Sequence, residues 1–320
     1  MMQHLSTSLL SCWLAMACAA SAKPVKVFIL AGQSNMQGQG MVSSFDESGV
    51  EKPGTLASIL KDPAKAPMLR KWVNAKGEWN EKRKDVWVYD VNEFGSRHGI
   101  LEFGYGWNLG SRTWFGPEME FGHLMGDHFD NQVLILKTAW GGKDLYKDFR
   151  PPSSGGSVGP YYIEMIKTVR EVLGDLKSQF PSYQNTAGFE LAGFVWWHGW
   201  NDFCSPNIGT PEYEQNLTNL IKDVRHDLKA PELPVIIGEF TGPWGADCKE
   251  AAAITIRRAQ KNVAARSDLA STVHFVETHD FVRAEKDSPT SEGYHEFKNG
   301  ETYFLIGEAF GKEMLKLISK

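Results

Sequence analysis

The stretch "KVFILAGQSNMQGQG", residues 26–40, decides how the rest of the chain is read. An apolar run from Val27 to Leu30 ends in a turn of small residues, and Ser34 sits in that turn. Near-continuous apolar runs mark strands buried on both faces of a parallel sheet. The pattern recurs in "DVWVYDV" (85–91), "QVLILKTA" (132–139), "LAGFVWWHG" (191–199), "PVIIGEF" (234–240) and "STVHFVET" (271–278). Helical patterns lie between several of these runs. "GPEMEFGHLMGDHF" (116–129) places Pro117 at a first helical position and Phe121, Leu124, Met125 and His128 on one face. Residues 161–180 carry a stripe of Ile166, Val169, Leu173, Leu176 and Phe180. Residues 213–228 repeat it with Tyr213, Leu217, Leu220, Ile221, Val224 and Leu228, and 301–318 with Tyr303, Ile306, Phe310, Met314 and Leu317. Strands alternating with helices predict an α/β fold, a three-layer α/β/α sandwich around a mostly parallel sheet. Residues 41–84 and 92–115 read as irregular insertions near the site, and 150–162 as a loop.

Composition narrows the class. The chain has 320 residues, 42% hydrophobic and 23% charged, ordinary values for a globular protein. Its net charge of −5, with no long basic run, argues against a nucleic-acid partner. Leu9 to Ala20 is apolar and Ala20-Ser21-Ala22 is a small-x-small site, which predicts a signal peptide over 1–22 cleaved after Ala22. A single domain over 23–320 is then expected outside the cytoplasm, secreted or periplasmic. The apolar run is too short to span a bilayer, so no stable membrane insertion is expected after the signal is removed. Cys204 and Cys248 are candidates for one disulfide. No CxxC or HExxH pattern appears, so no metal site is indicated and no cofactor is expected.

In an open parallel sheet, ligands bind beyond the carboxyl ends of the strands. Ser34 follows the first strand, "TAWGGKD" the third, "HGWND" (198–202) the fourth, and "SEGYHEF" (291–297) precedes the last helix. Ser34, Asn201, Asp202 and His295 should therefore meet at one edge. A serine hydroxyl needs a base, and imidazole suits neutral pH. A carboxylate should hold that imidazole in the productive tautomer, and Glu292 lies three residues before His295. The Ser34 and Gly116 backbone N–H groups and the Asn201 amide are suitable oxyanion donors. Gln33, Trp140, His198 and Trp200 are candidate substrate contacts. The faces of Trp140, Trp200 and Trp244 could stack on a sugar ring. Lys143 could meet a polar ligand. His123 and His128 read as packed or surface residues, and His274 and His279 as structural.

These segments resemble the SGNH hydrolases. "GQSNMQG" is similar to their first sequence block, most closely in the branch of sialate O-acetylesterases and related carbohydrate esterases. "FGPEMEFG" resembles that branch's second block and "WHGWND" its third. The resemblance runs from about residue 25 to the C-terminus. It implies a flavodoxin-like sheet, Ser34 as nucleophile, His295 as base, and Ser34, Gly116 and Asn201 as oxyanion donors. The last block, usually D-x-x-H, reads Glu292-Gly293-Tyr294-His295 here, so Asp287, Glu296 and Asp202 stand beside Glu292 as candidates for the acid. The implied reaction is removal of O-acetyl groups from a carbohydrate, sialic acid or a polysaccharide such as xylan, through an acetyl-enzyme. The rivals are a lipase- or thioesterase-like enzyme of the same fold and a carbohydrate-binding protein without catalysis.

Overall fold

The computed structural model describes residues 23–183, 188–242 and 250–319. The expected signal peptide, Trp244 and Cys248 lie outside the described residues. The described residues form nine strands: β1 (Val25–Gly32), β2 (Gly40–Met41), β3 (Arg83–Asn92), β4 (Gly95–Leu101), β5 (Trp114–Phe115), β6 (Val133–Ala139), β7 (Phe189–Trp197), β8 (Val235–Gly238) and β9 (Val273–Val276). The α-helices are α1 (Ser34–Gln37), α2 (Leu56–Leu60), α3 (Glu118–His128), α4 (Pro160–Gly174), α5 (Leu176–Gln179), α6 (Trp200–Phe203), α7 (Gly209–Asp227), α8 (Ala251–Ala265) and α9 (Gly300–Ile318). Seven strands form one sheet in the order β4-β3-β6-β1-β7-β8-β9, parallel throughout except for β4 against β3.

Side-chain alternation along the strands builds two cores. Val27, Ile29, Ala31 and Trp196 face one way and pack with α4, α7 and α8. Phe28, Leu30, Val195 and Trp197 face the other way and pack with α3 and α9. The result is the expected three-layer sandwich. The stripes expected on 213–228 and 301–318 supply buried residues of α7 and α9, with Leu228 only half-buried. On α3 the buried face is Met119, Phe121, His123 and Met125, whereas His128 is exposed.

Several elements depart from the sequence reading, among them α2 and β5 inside the segments read as irregular, β4 and α8. Residues 92–115 are not wholly irregular, because β4 forms a hairpin with β3 at the sheet edge. Its first five residues, Gly95 to Gly99, are polar or glycine, so no apolar run announces it. Helix α8 was not among the expected helices. Its inward face is Ala253, Ile256, Ala259, Gln260 and Val263, a stripe too rich in alanine to stand out.

The chain behind the site holds a buried charge cluster. The Lys137 ammonium, on β6, meets Glu118 Oε2 at 2.8 Å and Asp90 Oδ2 at 3.3 Å, with all three side chains fully buried. It also donates to the carbonyl of Tyr105. Glu118 Oε1 in turn accepts the backbone N–H of Gly116 at 2.8 Å. Gly116 lies against Gly38, where an added Cβ would come within 2.1 Å of the Gly116 Cα. The cluster therefore braces the loop that follows Ser34.

Candidate active site

Strand β1 lies between β6 and β7, so the loops after these three strands share one crevice. Gly32 closes β1 at φ +153°, where a Cβ would fall 2.1 Å from the Trp197 carbonyl oxygen. A side chain there would push the β1 and β7 ends apart. Gln33 is buried, and its Oε1 accepts the N–H groups of Gly199 and Trp200 at 3.0 and 3.1 Å. It ties the Ser34 turn to the "HGWND" loop. Gln33 is thus a clamp inside the protein, not the substrate contact expected from sequence.

Beyond these strand ends is a cavity of about 300 Å³ lined by Ser34, Gln37, Gln39, Glu93, Trp107, Gly141, Gly142, Trp200, Asn201, Tyr294 and His295. Ser34, Asn201, Trp200 and His295 were anticipated there. Gln37, Gln39, Glu93, Trp107 and Tyr294 were not. A larger open depression of about 690 Å³ runs along the β9 edge, but its lining has no serine, threonine or cysteine to act as nucleophile.

The imidazole of His295 has a partner on each side. Nδ1 faces Glu292 Oε2 at 3.5 Å, an ion-pair distance without hydrogen-bond geometry. Nε2 lies 3.1 Å from the Gln39 amide. An amide N–H donating to Nε2 requires the tautomer with its proton on Nδ1, toward Glu292. Burial lowers the His295 pKa to about 4, against an opposing pull from Glu292, so the ring is neutral at pH 7. Glu292 Oε1 also binds the Lys298 ammonium at 2.5 Å. Burial alone would raise the Glu292 carboxyl, but the hydrogen bond and charge of Lys298, with the nearby His295 ring, hold it below its ordinary value.

The backbone here is unusual. Glu296, Phe297 and Lys298 have φ values of +51°, +55° and +57°, a left-handed run without glycine. Such residues are strained by roughly 1 kcal/mol or more each and persist where surrounding contacts impose them. The imposing contact is Glu296, fully buried, which accepts from Thr241 Oγ1 and lies 3.5 Å from the Asn35 amide. Burial raises its carboxyl to about 8, so it is protonated at neutral pH. Glu296 is thereby an anchor of the His295 turn.

Other expected residues are placed elsewhere. Asp202 is buried and accepts the N–H groups of Leu145 and Tyr146 at 2.7 and 3.2 Å, ordering that loop. Asp287 contributes its backbone carbonyl to Asn299. Among the four candidate carboxylates, Glu292 is the one in ion-pair contact with the His295 ring. His198 is buried, stacks on Trp196 at 4.8 Å and meets the Lys143 carbonyl at 2.9 Å, so it is not a substrate contact. Trp140 is buried against Phe149 and Tyr161 and likewise does not reach the cavity. Lys143 lies over the Tyr161 ring at 4.6 Å. Cys204 is exposed after α6. The Gly116 N–H, expected as an oxyanion donor, bonds to Glu118 Oε1 at 2.8 Å, and Gly116 is not among the residues lining the cavity. The glycines that line it are Gly141 and Gly142, after β6, and the Gly142 carbonyl accepts the Asn201 amide at 2.9 Å.

The family described as carbohydrate esterase, sialic acid-specific acetylesterase, matches residues 24–304. The chain belongs to this family. It is a carboxylic ester hydrolase with a three-layer α/β/α architecture. An Arabidopsis thaliana protein named as a probable carbohydrate esterase is 25% identical over 218 residues, 67% of this chain and 68% of that protein. A solved structure of an Arabidopsis thaliana protein superimposes with a TM-score of 0.55 at 18% identity, covering 92% of this chain and 98% of the other. A carbohydrate acetylesterase from Xanthomonas citri gives 0.52 at 15% identity, covering 89% of this chain and 57% of that one. At these identities the two structures attest to the fold. No described helix is long and apolar enough to cross a membrane.

Proposed function

We propose that the chain is an exported serine esterase that removes O-acetyl groups from a carbohydrate, with the catalytic unit spanning residues 23–320. One observation carries the reading: Ser34, Asn201 and His295, distant in sequence, line one cavity at the end of β1. Ser34 Oγ attacks the acetyl carbonyl while His295 Nε2 takes its proton. Gln39 must yield its contact with Nε2 for this to happen. The Nδ1 proton faces Glu292, which stabilises the imidazolium, and Lys298 fixes the carboxylate's orientation. The tetrahedral oxyanion is met by the Ser34 N–H and the second N–H of the Asn201 amide. His295 then protonates the departing sugar oxygen, and the same histidine activates the water that releases acetate. The small cavity, lined by amides and indoles, suits a short acyl group on a polar alcohol.

Two outcomes test the machinery. Asn201→Ala is expected to lower kcat by about 10²-fold, as loss of one oxyanion donor does elsewhere. A KM effect alone would assign Asn201 to ground-state binding. The pH profile follows from the neutral base. His295 has its pKa lowered to about 4, so kcat/KM should hold from pH 7 downward and fall as pH drops through about 4. A fall centred near the ordinary histidine value would contradict a buried base. Acetate release from acetylated xylan and acetylated sialic acids, beside a series of 4-nitrophenyl esters, tests the reaction class. Faster turnover of long acyl chains than of acetate would favour a lipase-like enzyme.

A further inference from the structure

Glu93 is the only formally charged side chain among the described residues lining the cavity, apart from the histidine. It sits in the turn between β3 and β4 and is held there on purpose of local geometry. Asn92 accepts the Phe94 N–H at 2.8 Å and donates to the Trp107 carbonyl at 3.3 Å, while the Phe94 ring meets Trp107 edge-on at 5.5 Å. The Glu93 carboxylate accepts from the Gln37 amide at 2.5 Å and the Gly141 N–H at 3.3 Å. Both contacts fall on Oε2, which leaves Oε1 of this exposed side chain available to a sugar hydroxyl. These partners are neutral dipoles, not cations. The nearby lysines are engaged elsewhere, Lys298 with Glu292 and Lys143 over Tyr161.

A sugar acid brings its own carboxylate. A site selective for it would be expected to offer an arginine or lysine, since a fixed anion beside the ligand anion is repulsive. We infer that Glu93 is a specificity-determining residue that selects O-acetylated neutral sugars and disfavours sialic acids. This rests on the esterase reading above. Glu93 accepts a hydroxyl of the neutral sugar and places its acetyl ester toward Ser34. The same carboxylate repels a sialate. The family's description names sialic acid; the lining of this cavity favours a different member of the carbohydrate class.

The test compares kcat/KM on acetylated xylo-oligosaccharide, 9-O-acetyl-N-acetylneuraminic acid and 4-nitrophenyl acetate, for wild type and Glu93→Gln. Wild type should prefer the neutral sugar by about tenfold or more, and Glu93→Gln should raise the sialate-to-neutral ratio by about tenfold. Added salt should raise that ratio in wild type and leave it nearly flat in Glu93→Gln, a response that loss of mere loop order would not give. Wild type that cleaves 4-nitrophenyl acetate yet prefers the sialate overturns this inference alone. An unchanged ratio in Glu93→Gln overturns it as well. Failure to cleave any of the three substrates sinks the esterase reading, and this inference with it.

Discussion

Ser34→Ala is expected to lower kcat/KM for an acetyl ester by about 10³-fold or more while leaving thermal unfolding nearly unchanged. The size follows from the chemistry, since removing the hydroxyl removes the atom that forms the acyl-enzyme and leaves only positioning and oxyanion stabilisation. The structural neutrality follows from the surroundings. The turn is fixed by Gly32, by Gln33 through Gly199 and Trp200, and by Gly38 against Gly116, none of which uses the Ser34 side chain. The measurement is acetate release by wild type and variant, with circular dichroism melts of both. A variant that keeps a tenth or more of wild-type activity would remove Ser34 from the chemistry.

The second large effect is on stability. Lys137→Met should destabilise the fold by roughly 3–5 kcal/mol, because it keeps the side-chain volume but strands Glu118 and Asp90 in the interior. Burial already raises Asp90 to about 7 despite Lys137, and raises Glu118 as well. The sign with pH follows. A carboxyl raised in the folded state binds a proton there that the unfolded chain has lost. Its stabilising contribution is full below the unfolded pKa and is lost as pH rises through the folded value. Without Lys137 both folded values rise further, so the loss should be larger at pH 8 than at pH 5. Urea unfolding of both proteins at the two pH values reads it. Equal losses at both would mean that Lys137 does not act through the charges of Asp90 and Glu118.

The fold was largely legible because buried parallel strands write themselves as apolar runs. Alternation further separated Trp196 from Trp197 into opposite cores. The meeting of Ser34, Asn201 and His295 was legible for a related reason: in a parallel sheet, residues just past strand ends gather at one edge. Direction within those loops was not. Gln33 and His198 sit beside the motif residues yet point inward, and only the packed structure distinguishes a clamp from a contact. Gly116 reads the same in sequence whether its N–H is offered to a ligand or taken by Glu118. In the structure that N–H bonds to Glu118, although the segment before α3 lies against the Ser34 loop through Gly38. Glu93 and Trp107 were invisible for another reason. Glu93 lies in the turn after the apolar strand β3, and Trp107 follows β4, whose sequence carries no apolar period to place it.

The carboxylate behind His295 was the open question of the sequence. Glu292 is in ion-pair contact with Nδ1, while Glu296, immediately after the histidine, is turned away by the left-handed run and buried against Thr241. Glutamate's extra methylene lets Glu292 reach the ring and still bind Lys298. In our reading the pair acts as one unit, with Lys298 keeping the carboxylate charged and oriented.

The central claim is that an acetyl group passes through Ser34. Acid-quenched peptide mass spectrometry during turnover of an acetylated xylo-oligosaccharide tests it most directly. The account predicts one acetyl group on the peptide containing Ser34, absent from Ser34→Ala. Sustained acetate release by the wild type with no acetyl adduct on that peptide, or with the adduct on another residue, would contradict it.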